Sequence, residues 1–172
     1  MLMLGLYENF PLTIHLAETF TSALSRRKLQ QKIAQILLEI NRGTFTFEEV
    51  GNPTVPDCTV IFEFGIADKG GFIFLNEEEA QRLQDNLGSE SLKIIDWFCG
   101  IRYYRNSPKK KTPLRFDYYM LRMEFAEKNV MAISVFHERG PRYVTPENIV
   151  TLIESRVNQS LKRKILKHSP QA

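Results

Sequence analysis

Residues 91–138 read SLKIIDWFCGIRYYRNSPKKKTPLRFDYYMLRMEFAEKNVMAISVFHE. Three segments rich in β-branched and aromatic residues follow one another here, and such residues favour the pleated, half-buried surface of a sheet. Strands are expected over Ser91–Arg105, Leu114–Phe125 and Val130–Glu138. Only Ala126–Asn129 lies between the second and third, and the lysine-bearing stretch 106–113 between the first and second. Connections this short join antiparallel neighbours, because a parallel pair needs a crossover of a dozen or more residues. The expectation is a meander of three long strands.

Outward from the meander, the chain alternates groups of strands with single helices. Cys58–Asp68 and Phe72–Leu75 flank Lys69-Gly70-Gly71, a tight-turn sequence, and predict a hairpin. Thr44–Val50 is a further strand candidate. In TIHLAETF, Ile14, Leu16 and Phe20 alternate with polar or small residues, the period of a half-buried strand. A helix is expected over Ser22–Arg42, with Leu29, Ile33, Ile36, Leu37 and Ile40 as its apolar stripe and Gly43 as its stop. Arg26-Arg27-Lys28 oppose the dipole of a helix that begins beside them, so a start nearer Thr19 or Thr21 is preferred. Asn76 caps a second helix running to about Leu87, with Glu79 placed to bond back to the cap. Thr145-Pro146-Glu147 opens the last helix, which Ile149, Leu152, Ile153, Val157, Leu161 and Ile165 carry to about Leu166. The order ββ-α-βββ-α-βββ-α predicts an α+β fold, a mainly antiparallel sheet with helices on one face and a long C-terminal helix. At 172 residues, one domain over 1–172 is expected.

Composition sets the class. With 43% apolar and 25% charged residues the chain can build a core without covalent staples. Cys58 and Cys99 both sit in apolar runs, so buried thiols and a reducing, cytoplasmic location are expected. The N-terminal run is interrupted by Glu8 and Pro11 and has no basic start, which argues against a secretory leader, and no membrane association is expected. Net charge is +3, but residues 44–90 carry 2 Lys/Arg against 10 Asp/Glu, and residues 91–172 carry 16 against 7. Such polarity suits a polyanion-binding half, complementary surfaces that meet in an oligomer, or simply a solvated surface.

Four places hold chemistry-bearing residues. Phe136-His137-Glu138-Arg139-Gly140-Pro141-Arg142-Tyr143 precedes the last helix, and Arg139 and Arg142 there suit an anion near a helix N-terminus; the same arginines can equally pair with Glu138, Asp117 or Glu147 to shape the turn. If the preceding hairpin turns at Glu127-Lys128, Tyr118 faces His137 and Asp117 faces Glu138, so that a histidine general base would have a carboxylate to orient it. Arg102, Tyr103, Tyr104, Arg105, Lys109, Lys110 and Lys111 mix cations with aromatic rings on an expected exposed loop, a pattern that suits phosphates and unpaired bases, or an ordinary soluble hairpin tip. The three histidines, His15, His137 and His168, have no ligand spacing, and neither a glycine-rich phosphate loop nor a CxxC pair occurs, so no metal and no cofactor are expected.

The leading expectation is a non-catalytic accessory factor that binds RNA or DNA through phosphate. An enzyme acting on a small anionic substrate is the alternative, with His137 as base, Glu138 or Asp117 as its orienter and Arg139 and Arg142 as the anion clamp. A structural subunit is the third, a homo- or hetero-oligomer joined through acidic 44–90 and the basic C-terminal surface.

Overall fold

A computed structural model describes residues 3–51, 57–106, 111–126 and 129–169. The elements are β1 (Leu16–Ser22), α1 (Arg26–Arg42), β2 (Phe45–Thr46), α2 (Phe47–Val50), β3 (Cys58–Asp68), β4 (Gly71–Phe74), α3 (Glu77–Leu87), β5 (Ile94–Asn106), β6 (Lys111–Ala126), β7 (Val130–Arg139), α4 (Pro146–Ser160) and β8 (Leu166–His168). Together they form the α+β arrangement expected. Among the described residues eight strands make one open sheet in the order β2-β3-β5-β6-β7-β1-β8, with β4 also on β3, and the helices pack on one face. Every described strand pair is antiparallel, and the β5-β6-β7 meander is its centre.

The pleat explains which side chains reach the core, because successive residues of a strand point to opposite faces. Val60, Phe62, Phe64 and Ile66 of β3, Ile95, Trp97, Cys99 and Ile101 of β5, Leu121 and Met123 of β6, and Ile133 and Val135 of β7 are all buried beneath the helices. From the other side of that layer α1 contributes the expected stripe of Leu29, Ile33, Ile36, Leu37 and Ile40. Its buried polar residue, Gln30, has both amide groups satisfied on the backbone of Leu92, at 2.6 and 3.0 Å. Asn41, near the end of α1, donates to the carbonyls of Phe64 and Leu75 and accepts from the Phe64 amide at 2.7 Å. One side chain thus ties α1 to β3 and to the residue that follows β4. Asn41→Ala is expected to cost about 2 kcal/mol, seen as a melting temperature lower by roughly 6 °C, because it strands backbone groups that have partly left water.

Several boundaries differ from expectation, each for a physical reason. The helix does not begin near Thr19 or Thr21: β1 runs to Ser22, and Ser25 caps α1 by accepting from the Lys28 amide. Arg26-Arg27-Lys28 therefore do occupy the first turn. Arg27 reaches across to the carbonyl of Gly88, at the C-terminal end of α3, where a cation is favourable. Among the described residues one strand, not two, precedes α1. Thr44–Val50 is not a single strand either. After two strand residues Thr46 caps a single helical turn, and Glu49 returns to the Thr46 amide at 3.1 Å. At Asn76 the cap is as expected, with the side chain accepting from the Glu79 amide, but the Glu79 carboxylate turns to Arg82.

The last helix ends at Ser160, not near Leu166. Asn158 accepts from the amides of Ile165 and Leu166, each at 2.8 Å, and turns the chain back so that β8 pairs with β1. Lys162, Arg163 and Lys164 consequently lie in the turn beyond the helix. No helix among the described residues is long and apolar enough to cross a membrane.

On its second face the sheet is crossed at one end by the N-terminal segment. Gly5 bridges β3 and β5 through the Ala67 carbonyl and the Asp96 amide. Asp96 is fully buried there, accepting from the Tyr7 amide at 2.7 Å and from the Arg122 guanidinium at 2.8 and 2.9 Å. Phe10 lies against the same guanidinium, 4.5 Å from ring centre to Arg122 Cζ.

Candidate functional site

The junction between β7 and α4 is organised around Asp117, a fully buried carboxylate on β6. The Tyr103 hydroxyl donates to its Oδ2 at 2.5 Å, the amides of Arg142 and Tyr143 donate at 2.8 and 3.1 Å, and His137 Nε2 stands 2.9 Å from its Oδ1. The next residue along joins the same network: the Val144 amide donates to the Tyr103 hydroxyl, and the Val144 carbonyl accepts from Tyr119. Three consecutive backbone N–H groups are thereby satisfied just before Thr145 caps α4. Burial, and then the bond to Asp117, push the Tyr103 phenol far above its ordinary pKa, so it remains a donor at any physiological pH. Burial likewise raises Tyr119.

Two backbone features make this wrap feasible. Gly140 has φ +119°, and Arg142 has φ 59°, the left-handed region that non-glycine residues seldom occupy. A Cβ on Gly140 would stand 2.3 Å from both Asp117 Oδ1 and the Phe116 carbonyl, so the chain passes as close to β6 as a glycine permits.

The register of β6 against β7 differs from the one expected. Ala126 pairs with Val130 and Tyr119 with His137, and a bulge then sets Tyr118 opposite Arg139. Asp117 and His137 do meet, though not as cross-strand partners. The carboxylate beside the histidine is Asp117, while Glu138 is exposed on the bulged stretch. Arg142 Nε donates to His137 Nδ1 at 3.0 Å, which leaves Nε2–H as the donor to Asp117. Both ring nitrogens are thus engaged and the side chain is only 8% exposed, an arrangement that ties the turn to β6. Arg142 engages His137 through Nε and is otherwise exposed. Burial holds the Cys99 thiol well above its ordinary pKa, so it supplies no nucleophilic thiolate at neutral pH. His15 meets His137 only through the latter's backbone amide, and among the described residues no group of three or more His, Cys, Asp or Glu is placed to hold a metal ion.

The Arg102–Lys111 cluster is divided by the pleat. Tyr103 was expected on an exposed loop but lies in the core, its ring stacked on Phe47 at 5.9 Å, so it offers no face to a ligand. Arg105 falls on the same side of the strand as Tyr103 and is exposed at its end, opposite Cys58. Arg102 and half-buried Tyr104 point to the other face. Lys109 and Lys110 lie outside the described residues, and Lys111 is the first residue of β6.

Among the described residues that other face carries no helix, and beyond the N-terminal segment it presents a row of rings. Phe72 lies 5.8 Å from Phe98, Phe98 lies 5.6 Å from Tyr118, and Tyr118 is stacked on Phe116 at 6.4 Å. Phe116 is 45% exposed, a large fraction for a phenylalanine in the middle of a sheet. Arg139 places its guanidinium 4.7 Å above the Tyr118 ring, and Arg102 pairs with Glu63 at 2.6 Å. Between them runs a groove of about 400 Å³ lined by Glu63, Gly100, Arg102, Tyr104, Phe116 and Tyr118.

Comparison of the chain with protein-family models, with curated proteins and with solved structures gives no match. The uncovered face is therefore interpreted from its own chemistry.

Phe98, Gly100 and Phe116 were not among the sequence candidates, and Tyr118 was named only as the residue facing His137. Their signal was the failure of alternation: in DWFCGI and RFDYYML apolar residues fall at both parities, which marks a strand with two nonpolar faces. In a sheet whose described helices lie on only one side, the second such face stays partly uncovered.

Proposed function

We propose that this protein is a non-catalytic accessory factor that binds nucleic acid through its uncovered sheet face. The observation that carries this reading is Arg139 held over the Tyr118 ring, with Arg102 and the exposed ring of Phe116 lining the adjacent groove, on a face that no described helix covers. Guanidinium groups recognise phosphate with charge and directed N–H donors together, and the ring beneath Arg139 holds its guanidinium in place. The excess of cations over 91–172 adds the long-range attraction that draws a polyanion to this half of the chain. Two buried free cysteines suit the cytoplasm, where we place it.

Several acids of 44–90 are answered within the chain, Glu63 by Arg102, Asp68 and Glu79 by Arg82, and Glu77 by Arg42. That internal pairing leaves less of the acidic segment for a second copy, and it favours nucleic acid over assembly as the role of the basic half.

Filter binding at two salt concentrations tests the proposal with both single- and double-stranded RNA and DNA. Micromolar affinity is expected at low salt, falling steeply as salt rises through release of counterions. In the double variant Arg102→Gln with Arg139→Gln, the slope of log affinity against log salt should be shallower by about 1.5, the share of two phosphate contacts. Absence of micromolar binding to every one of these polymers at low salt would end this reading.

A further inference from the structure

From the groove over Gly100 we infer the form of nucleic acid: an unpaired base of a single strand enters it, with its neighbours lying along the aromatic row. This inference rests on the proposed function and adds the strandedness of the ligand. Gly100 pairs with Glu63 on one side and Tyr118 on the other, so the floor of the groove is a residue without a side chain between two that have one. A Cβ added there would meet nothing closer than 3.4 Å, at Phe98, and next Glu63 at 3.8 Å. A side chain at this position would thus meet Phe98 and Glu63 at ordinary contact distance, so no backbone close approach demands the glycine, and its absence deepens the groove into a notch between the two neighbouring strands.

What surrounds the notch suits a planar heterocycle. Phe98 and Tyr118 supply ring surface, and Phe116 continues it, stacked 14° from parallel with Tyr118. Stacking on such rings tolerates any base, since every base has a π face. The Glu63 carboxylate at the rim holds Arg102 through one oxygen, and its remaining acceptor capacity suits exocyclic amino groups, which adenine, cytosine and guanine carry and a phosphate does not. Arg102 and Arg139 stand beside the row, where the flanking phosphates of a strand laid along it would pass. In a duplex the faces of the bases are hidden by their neighbours, and reaching the groove would require unstacking. A paired helix would thus touch the arginines alone.

Fluorescence anisotropy at low salt tests this, using a labelled mixed-sequence strand of about twelve nucleotides, as RNA and as DNA, and the matching duplexes. Wild type is expected to hold the single strand about tenfold more tightly than the duplex, the worth of roughly one stacked base. Gly100→Val fills the notch with a residue that strands favour, and a thermal melt checks that the fold is kept. It should lower single-strand affinity about tenfold and leave duplex affinity unchanged. Should Gly100→Val fail to fold, Phe116→Ser at the exposed end of the row is expected to show the same selective loss. Equal binding of single strand and duplex, unaltered by either variant, would overturn the inference while leaving the proposed function standing. No binding of any form would overturn both. Sedimentation of the protein alone supplies the remaining contrast. A concentration-dependent dimer that Gly100→Val abolishes would make the face an interface between copies, and would overturn the inference as well.

Discussion

Asp117→Ala is expected to destabilise the fold by about 4 kcal/mol, a drop in melting temperature of roughly 10 °C for a chain of this length. The size follows from what the carboxylate holds. Four donors converge on it from Tyr103, His137, Arg142 and Tyr143, and the alanine variant leaves a buried phenol and two backbone amides without an acceptor. Each such orphan costs about 1–3 kcal/mol where no water can replace the lost partner. The Tyr103 hydroxyl also accepts from Val144, so the loss travels to the start of α4. Asp117→Asn preserves shape but turns part of the acceptor into a donor that faces other donors, and about half the effect is expected to remain. Thermal or urea unfolding measures both. A melting temperature within a degree of wild type for Asp117→Ala would show that the network is not what docks this loop.

Gly140→Ala should be nearly as damaging, at about 3 kcal/mol, though it removes no hydrogen-bonding atom. At φ +119° an L side chain is strained, and the new Cβ would fall 2.3 Å from Asp117 Oδ1 and from the Phe116 carbonyl. A backbone carbonyl cannot swing away as a long side chain can, so the loop itself must lift off β6. Lifting it pulls the Arg142 and Tyr143 amides from the same carboxylate. The two substitutions therefore break one structure by different routes, and the double variant is expected to cost clearly less than the sum of the singles. Additivity in urea unfolding would instead assign the glycine a role unrelated to Asp117.

The meander, the Lys69–Gly71 turn and the caps at Asn76 and Thr145 were legible in the sequence because each is set by neighbours in the chain. Periodicity, turn residues and cap chemistry are all local signals. The short helix after Thr46 had such a signal too, the Thr46–Glu49 capping box, but it was outweighed by the β-branched and aromatic character of the residues around it. The end of α4 was harder, since Leu161 and Ile165 continue the helical spacing and only the side chain of Asn158 turns the backbone away. Register was the main loss. A bulge between Tyr118 and Tyr119 leaves no mark in composition, and a slip of one residue changes which face every side chain meets. Asp117, His137 and Arg142 were nevertheless named together, because a polar cluster at a strand end converges under either pairing. Arg102 and Tyr103 were grouped by adjacency, while the pleat sends them to opposite faces.

The place of β1 in the sheet bears on the order in which the fold assembles. Leu16 pairs with Val135, 119 positions along the chain, whereas the hairpins of the meander close over a few residues. Loops that short form early, and contacts so distant pay the larger entropy of closure. During synthesis β1 leaves the ribosome long before β7 exists, and it can join the sheet only after residue 139. Its outer edge is sealed later still, when Leu166–His168 pairs with Phe20–Ser22. Of the described strands the earliest to be made is among the last to be placed, and the interval between those events is when its unpaired edge is open to other chains.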